Sequence, residues 1–423
     1  MVDYVLTVAV SISSAAANIG SAVPFVAQHK VLFAITAIAI LTAVNLRGLR
    51  EAGTAFAIPT YAFMIGVLAM LVWGLTRIFV LGEDLQAESA AFELTAEHSD
   101  LTGIAFAFLI ARAFSSGCAA LTGVEAISNG VPAFRKPKSR NAATTLLLLG
   151  GIAVTLLLGI IVLAEKVGVV IAEDPATQLQ GAPDDYHQKT LIAQLASTVF
   201  DNFPLGFYLI TIVTALILVL AANTAFNGFP VLASVLAQDR YLPRQLHTRG
   251  DRLAFSNGIL FLSGVAIVFV WVFGAEVTHL IQLYIVGVFV SFTLSQTGMI
   301  RHWTRHLATE TDPVQRRRMS RSRVVNTIGL IMTATVLVIV LITKFVAGAW
   351  IAIVTMVAIF GLMKRSAGTT TASPRNSRTP SGTGGCFRAA PIRSCSSRRC
   401  TIRRCAPSPT RGRPGRTRSR RSP

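Results

Sequence analysis

Long apolar runs separated by short polar stretches recur along the first 365 residues of this chain. A helix that crosses the hydrocarbon core of a bilayer needs roughly 20 apolar residues, whereas the buried strands of soluble proteins need only a few. The pattern therefore predicts an all-α integral membrane protein with about ten spans. The predicted spans are residues 2–24, 31–46, 56–80, 103–130, 142–165, 205–229, 255–274, 277–299, 324–344 and 347–363.

The polar stretches between these spans alternate in charge. One set contains 17 Lys and Arg residues, and the other contains only Lys30, Lys166 and Lys189 among many acids. Because Lys and Arg collect on the cytoplasmic side of a membrane, the basic set is predicted to face the cytoplasm. An even number of spans places both chain ends on that side. The first span begins at Met1 without a basic leader, so we expect no signal peptide and a chain that begins partway through a longer protein.

Composition agrees with a membrane protein, because 52% of the residues are apolar and only 14% are charged. The net charge of +19 comes mainly from residues 366–423, which hold 14 Arg, no Lys and no acid. We predict that residues 1–365 form the transmembrane domain and that the Arg-, Ser- and Pro-rich tail is disordered. Three explanations of the tail compete: it binds anionic partners, it forms a metal site through its cysteines, or it is the product of GC-rich DNA translated out of frame. The lack of Lys beside abundant Arg favours the last, and no nucleic-acid partner is predicted.

Residues 107–132 differ from the other spans because they are rich in small and hydroxyl side chains, and Gly117, Gly123 and Gly130 interrupt them. Irregular backbone at membrane depth survives only where it faces protein or a watery cavity, so a broken helix that lines a pathway is predicted. Glu125 lies in its middle, where an unpaired carboxylate is costly. Thr122 lies nearly one turn earlier, so both side chains can offer oxygen ligands to a hard cation, and the carboxylate can also carry a proton.

Close helix packing is the competing explanation for the small residues of this segment, Gly117, Ala119 and Ala120. Packing explains Glu125 poorly. Arg112, earlier in the same span, is either a charge partner inside the protein or a side chain that reaches back to the membrane surface.

The first span carries a second polar line. Its members follow spacings of three and four residues and are Asp3, Tyr4, Thr7, Ser11 and Ser14. Such spacing places them on one stripe of a helix, which should face the protein interior. Alternatively, Asp3 and Tyr4 are interfacial residues at a helix start.

Two motifs, NLRGLRE at residues 45–51 and ANTAFNGFPVLASVLAQDRYLP at residues 222–243, resemble the amino acid, polyamine and organocation permeases. Two others, VDYVLTVAVSIS at residues 2–13 and FSSGCAALTGVEAISNGVPAF at residues 114–134, are similar to the KimA-type potassium importers, relatives of the Kup carriers. The resemblance extends to about Lys364. It implies a LeuT-like fold of two inverted five-helix repeats, here without its first two helices.

The resemblance also implies the residues of an ion pathway. By motif, the family's ion-binding residues correspond to Asp3, Tyr4, Thr7, Ser11, Thr122 and Glu125, with potassium held through Thr122 and Glu125. A proposed gating tyrosine corresponds to Tyr284 in LIQLYIVGVF. The family forms homodimers through a cytoplasmic domain that binds cyclic di-AMP, a domain that this sequence does not contain.

The function that this resemblance implies is proton-coupled potassium uptake, a K⁺/H⁺ symport, in a bacterial plasma membrane. An amino-acid permease of the wider superfamily is the main alternative, and a non-functional fragment or a membrane partner without transport is a third. No enzyme activity and no resident cofactor are expected, because the sequence shows no Walker loop, HExxH, nucleophile elbow or CxxC pair.

Overall fold

The computed structural model describes residues 1–47, 53–95, 103–121, 123–124, 127, 130–131, 134–172, 175–181, 183, 186–239, 241–242, 256–344 and 350–371. Its helices are α1 (Val2–Gly20), α2 (Pro24–Gln28), α3 (Lys30–Leu46), α4 (Gly53–Phe79), α5 (Ile104–Gly117), α6 (Lys138–Val167), α7 (Pro175–Gln178), α8 (Leu191–Val199), α9 (Pro204–Gln238), α10 (Ser256–Val272), α11 (Val277–Thr309), α12 (Pro313–Lys344) and α13 (Trp350–Thr371). A 3₁₀ helix, Cys118–Leu121, follows α5. The strands β1 (Glu93–Leu94) and β2 (Leu179–Gln180) pair antiparallel.

Each predicted span coincides with a helix in the described ranges. Six helices there are long and apolar enough to cross a membrane, namely α1, α4, α6, α9, α11 and α12, and α3, α5 and α10 are shorter apolar helices. The prediction of a mainly helical membrane protein is thus confirmed. The first span was predicted too long: α1 ends at Gly20, and a turn leads to Pro24, which starts α2 at a position where a missing N–H costs nothing.

The central helix of the fold is α1, which contacts α3, α9, α10 and α11. Tyr4 lies against Gly228 of α9, and the side-chain amide of Asn18 donates a 2.8 Å hydrogen bond to the Thr211 carbonyl of the same helix. These two contacts show that α1 and α9 run antiparallel. The largest apolar cluster of buried side chains lies around this crossing, so α1 is held on several sides.

The acid-rich loops meet at one end of the helices, which we call the acidic end. The Ser21 hydroxyl accepts a hydrogen bond from the Thr190 N–H, Lys30 pairs with Glu276, and Lys189 pairs with Glu88. These contacts join four of the five loops that the charge pattern assigned to one side; the fifth, at residues 345–346, lies outside the described residues. The predicted alternation of loops between two sides is therefore consistent with the fold at this end.

Arg77 is a buried charge at the acidic end that the sequence analysis did not single out. Its guanidinium lies 2.6 Å from the Glu83 carboxylate and 2.8 Å from that of Asp201, and it donates a hydrogen bond to the Val199 carbonyl. The hydrogen bond from Arg77 holds the pKa of Asp201 below its ordinary value. This cluster fastens the end of α4 to the turn between α8 and α9.

The hairpin of α11 and α12 is longer than the predicted spans. The apolar windows were placed at 277–299 and 324–344, but α11 continues to Thr309 and α12 begins at Pro313. The basic stretch between the windows, predicted as a loop, is therefore mostly helical. A charged helix outside the membrane has no apolar window, so hydropathy alone does not reveal it.

The predicted domain boundary at residue 365 falls inside α13, which ends at Thr371. Residues 1–373 form one compact unit. The Arg-rich tail from residue 372 onward lies outside the described residues.

Candidate functional site

One narrow face of α1 is left open by the described part of the chain. Between residues 3 and 17 the half-buried positions are Asp3, Thr7, Val10, Ser14 and Ala17, and every other position is buried. At about 100° per residue, these five positions fall within a sector of about 80°. We call this sector the open face of α1. It is a mainly polar line on a helix that is otherwise packed.

The stripe predicted from the sequence is divided by the structure. Asp3, Thr7 and Ser14 lie on the open face, whereas Tyr4 and Ser11 are buried on the flank where Tyr4 contacts Gly228 of α9. The cause is geometric, because positions 4 and 11 are rotated by about 80–100° from position 3. The stripe is thus narrower than the spacing rule suggested.

Thr7 has a fixed orientation on this face. Its hydroxyl donates a 2.9 Å hydrogen bond to the Asp3 carbonyl, four residues earlier. A hydroxyl that donates its proton in this way keeps its oxygen lone pairs as acceptors. Thr7 can therefore present oxygen to a cation without leaving its rotamer.

The other flank of the open face is formed by α11 and the 3₁₀ helix. Leu6 and Val10 belong to the apolar cluster that includes Tyr284 of α11 and Cys118 and Ala119 of the 3₁₀ helix. The open face of α1 is therefore a groove with α9 on one side and α11 with the 3₁₀ helix on the other.

The helical segment that begins with α5 is interrupted, as predicted. The α-helical pattern of α5 ends at Gly117, the 3₁₀ helix follows, and Gly123 has a φ of +94°. Glycine adopts such a conformation without the strain that a Cβ would cause. Backbone carbonyls at interruptions of this kind serve as oxygen ligands in ion sites of membrane proteins.

Thr122 and Glu125, the predicted potassium ligands, lie outside the described residues. Their chain neighbours Cys118 and Ala119 contact the cluster that flanks the open face. Arg112 is half-buried, and among the described residues no acid lies within 4.0 Å of its guanidinium. Pairing of Arg112 with Glu125 stays a prediction, because Glu125 lies outside the described residues.

Tyr284, the predicted gating residue, is only 2% exposed and lies in the cluster with Leu6 and Phe289. It belongs to the same helix–helix junction as the 3₁₀ helix. The structure thus brings Tyr284 next to the flank of the groove rather than onto the open face itself.

Asn45 and Asn223 form a polar contact that the sequence analysis did not assign to the site. The Asn45 side-chain amide donates a 2.8 Å hydrogen bond to the Asn223 side-chain oxygen, which joins α3 to α9. Asn223, Thr60 and Thr224 also line a cavity of about 370 Å³ between α4 and α9. The signal was available, since both asparagines belong to the two motifs that carried the resemblance to permeases.

A sequence model of the amino acid permease family matches residues 1–373. The chain belongs to this family. The match includes α1, the interrupted helix and the α11–α12 hairpin, so the open face lies within the family's own domain. The predicted resemblance to permeases is therefore confirmed.

Among curated proteins, this permease is similar to the potassium transporter KimA of Bacillus subtilis (strain 168). The two are 42% identical over 345 residues, which cover 82% of this chain and 52% of the relative. The chain thus spans about half the length of the curated relative that it matches.

Proposed function

We propose that this permease imports potassium across the bacterial plasma membrane together with protons. The observation that carries the proposal is the 42% identity with a potassium transporter over most of this chain. The groove on α1 supports it, because the open face offers the oxygens of Asp3, Thr7 and Ser14, and those are the ligand type of hard cations.

In the proposed mechanism, the groove and the interrupted helix hold one potassium ion between them. Thr122 and freed backbone carbonyls bind the ion, Asp3 and Thr7 receive it along α1, and Tyr4, Ser11 and Tyr284 shape the flanks. Glu125 exchanges a proton for the charge of the ion, because a carboxylate at membrane depth is stable only when neutralised, paired or hydrated. The expected fold is the LeuT-like inverted repeat, which works by alternating access around a site near the bilayer midplane.

The proposed orientation places the acidic end outside and the basic loops and both chain ends in the cytoplasm, as the distribution of Lys and Arg indicates. A net negative outer surface would raise the local concentration of cations at the entrance. The resemblance adds a homodimer and regulation by cyclic di-AMP as further proposals for the parent protein.

Amino-acid transport is the second candidate, and the family to which the chain belongs favours it. Amino-acid carriers hold the substrate carboxylate at exposed backbone amides of broken helices. An acid such as Glu125 in that segment would repel the substrate carboxylate, which is why we place potassium first.

Radioactive rubidium uptake by proteoliposomes with an inward proton gradient tests the choice of substrate. We expect rubidium uptake that unlabelled potassium abolishes at millimolar concentration and that a mixture of the twenty amino acids leaves unchanged. Vesicles without protein give the background. Uptake of labelled amino acids without uptake of rubidium would establish the second candidate instead.

A further inference from the structure

The α11–α12 hairpin carries a basic arm, which we define as residues 300–323, beyond the apolar windows of both helices. Two contacts fix its antiparallel register: Gly329 lies beside Gln296, and the Arg316 guanidinium donates a 3.0 Å hydrogen bond to the Leu307 carbonyl. Two residues that face each other across the hairpin therefore have numbers whose sum is about 624. This relation gives the position of each Cα atom of the arm along the hairpin axis.

The arm holds seven arginines, six of which are exposed and one half-buried. They are Arg301, Arg305, Arg316, Arg317, Arg318, Arg321 and Arg323. Like charges at spacings of four residues, as in Arg301 and Arg305, destabilise an isolated helix. A bound counter-anion would relieve this repulsion.

The acids of the turn bind backbone groups instead of arginines. Glu310 accepts hydrogen bonds from the N–H groups of Thr311 and Asp312, and Asp312 accepts one from Val314, so both stabilise the start of α12. Arg316 caps the end of α11 through two backbone carbonyls. Within the described ranges, no carboxylate lies within 4.0 Å of the other six guanidinium groups.

Four arginines gather at one height next to the apolar windows, and we call them the neck. They are Arg301, Arg305, Arg321 and Arg323. By the antiparallel register their Cα atoms lie within about 6 Å along the hairpin axis. The neck directly adjoins the apolar windows 277–299 and 324–344, which indicates a level near the membrane interface.

The tip of the arm is a second basic pair, Arg317 and Arg318. Their Cα atoms lie about 5–6 Å farther from the apolar windows than the middle of the neck. The headgroup layer of one leaflet is about 5–8 Å thick. The neck therefore lies closer to the level of the lipid phosphates than the tip does.

We propose that the neck of the arm binds the phosphates of anionic phospholipids such as phosphatidylglycerol. Guanidinium groups form forked hydrogen bonds with phosphate oxygens, and basic groups directly beside a membrane span attract anionic lipids. The lipid supplies the counter-charge that the turn acids do not, and it fixes the hairpin against the bilayer surface. This inference does not depend on the identity of the transported substrate.

The test uses the full chain in detergent, titrated with phosphatidylglycerol or phosphatidylcholine, with bound lipid counted by native mass spectrometry. We expect the wild type to retain phosphatidylglycerol in preference to phosphatidylcholine. Replacing Arg301 and Arg323, the two neck arginines farthest from the tip, with Gln should weaken phosphatidylglycerol binding about thirtyfold. The tip variant R317Q/R318Q removes the same charge farther from the phosphates and should weaken binding several-fold less than the neck variant does.

Four results would overturn the proposal. The first two are an equal loss of phosphatidylglycerol binding in the neck and tip variants, and no loss of binding in either variant. The other two are displacement of the lipid by inorganic phosphate at equal concentration, and tighter binding of an acidic peptide than of the lipid. If the neck variant does not fold, lipid retention by the wild-type protein is measured at increasing salt concentration instead. Phosphatidylglycerol retention should then fall steeply while phosphatidylcholine retention stays constant, and a salt-independent preference contradicts the proposal.

Discussion

Replacing Glu125 with Gln is expected to reduce rubidium uptake to the level of vesicles without protein. Glutamine keeps the size and hydrogen-bonding oxygen of the side chain but cannot release or bind a proton at this position. If Glu125 exchanges a proton for the cation, the coupled cycle stops even when the protein is folded. Uptake driven by an imposed proton gradient measures this effect.

The matched control is Glu165→Gln, the same chemical change on an exposed residue near the acidic end of α6. It should leave uptake unchanged, because a solvated carboxylate takes no part in the proposed cycle. If the Glu125→Gln protein transports at the wild-type rate, Glu125 does not exchange the proton, whatever substrate the permease carries.

The second large effect is expected at Gly228, where α9 approaches the Tyr4 side chain. A Cβ atom at this position would lie 2.6 Å from the Tyr4 ring, closer than any stable contact. Overpacking of this kind costs about 1–3 kcal/mol, or about a tenfold change or more in an equilibrium constant. In Gly228→Ala the ring is expected to move toward the open face, and rubidium uptake should fall about tenfold or more.

A double-mutant cycle separates this clash from a general effect of alanine in α9. Thermal unfolding of Gly228→Ala should begin at lower temperature than that of wild type, and the loss should largely disappear when Tyr4 is also replaced by Ala. Gly264→Ala on α10 serves as the control, since nothing lies within 4 Å of a Cβ there. Equal destabilisation with and without the Tyr4 side chain would show that the ring is not the cause.

The helical membrane fold could be predicted from sequence because a bilayer imposes its thickness on every apolar run. The same rule failed for residues 300–309 and 313–323, where α11 and α12 extend beyond their apolar windows. Contacts between residues that are distant in sequence could not be predicted either. Arg77 appears as one charge at the end of a span, and only the fold shows that it meets Asp201, 124 residues later.

Part of the candidate site could also be predicted from the sequence, where the local helix geometry determines it. The periodicity of α1 placed Asp3, Thr7 and Ser14 on one line correctly, since a regular helix fixes their rotation. It did not show that Tyr4 and Ser11 are turned into the flank, because that depends on where α9 packs. The interrupted helix was visible as three glycines, whereas its contact with α1 and α11 arises only from the tertiary structure.

The central claim is that the open face of α1 lines the path of potassium, and a cysteine at position 7 tests it most directly. In a background without native cysteines, Thr7→Cys should react with a positively charged methanethiosulfonate reagent, and potassium should slow the reaction while sodium does not. Val8→Cys, at a neighbouring position that is 0% exposed, should not react. An unreactive thiol in the Thr7→Cys protein, or a reaction rate that potassium leaves unchanged, would contradict the account.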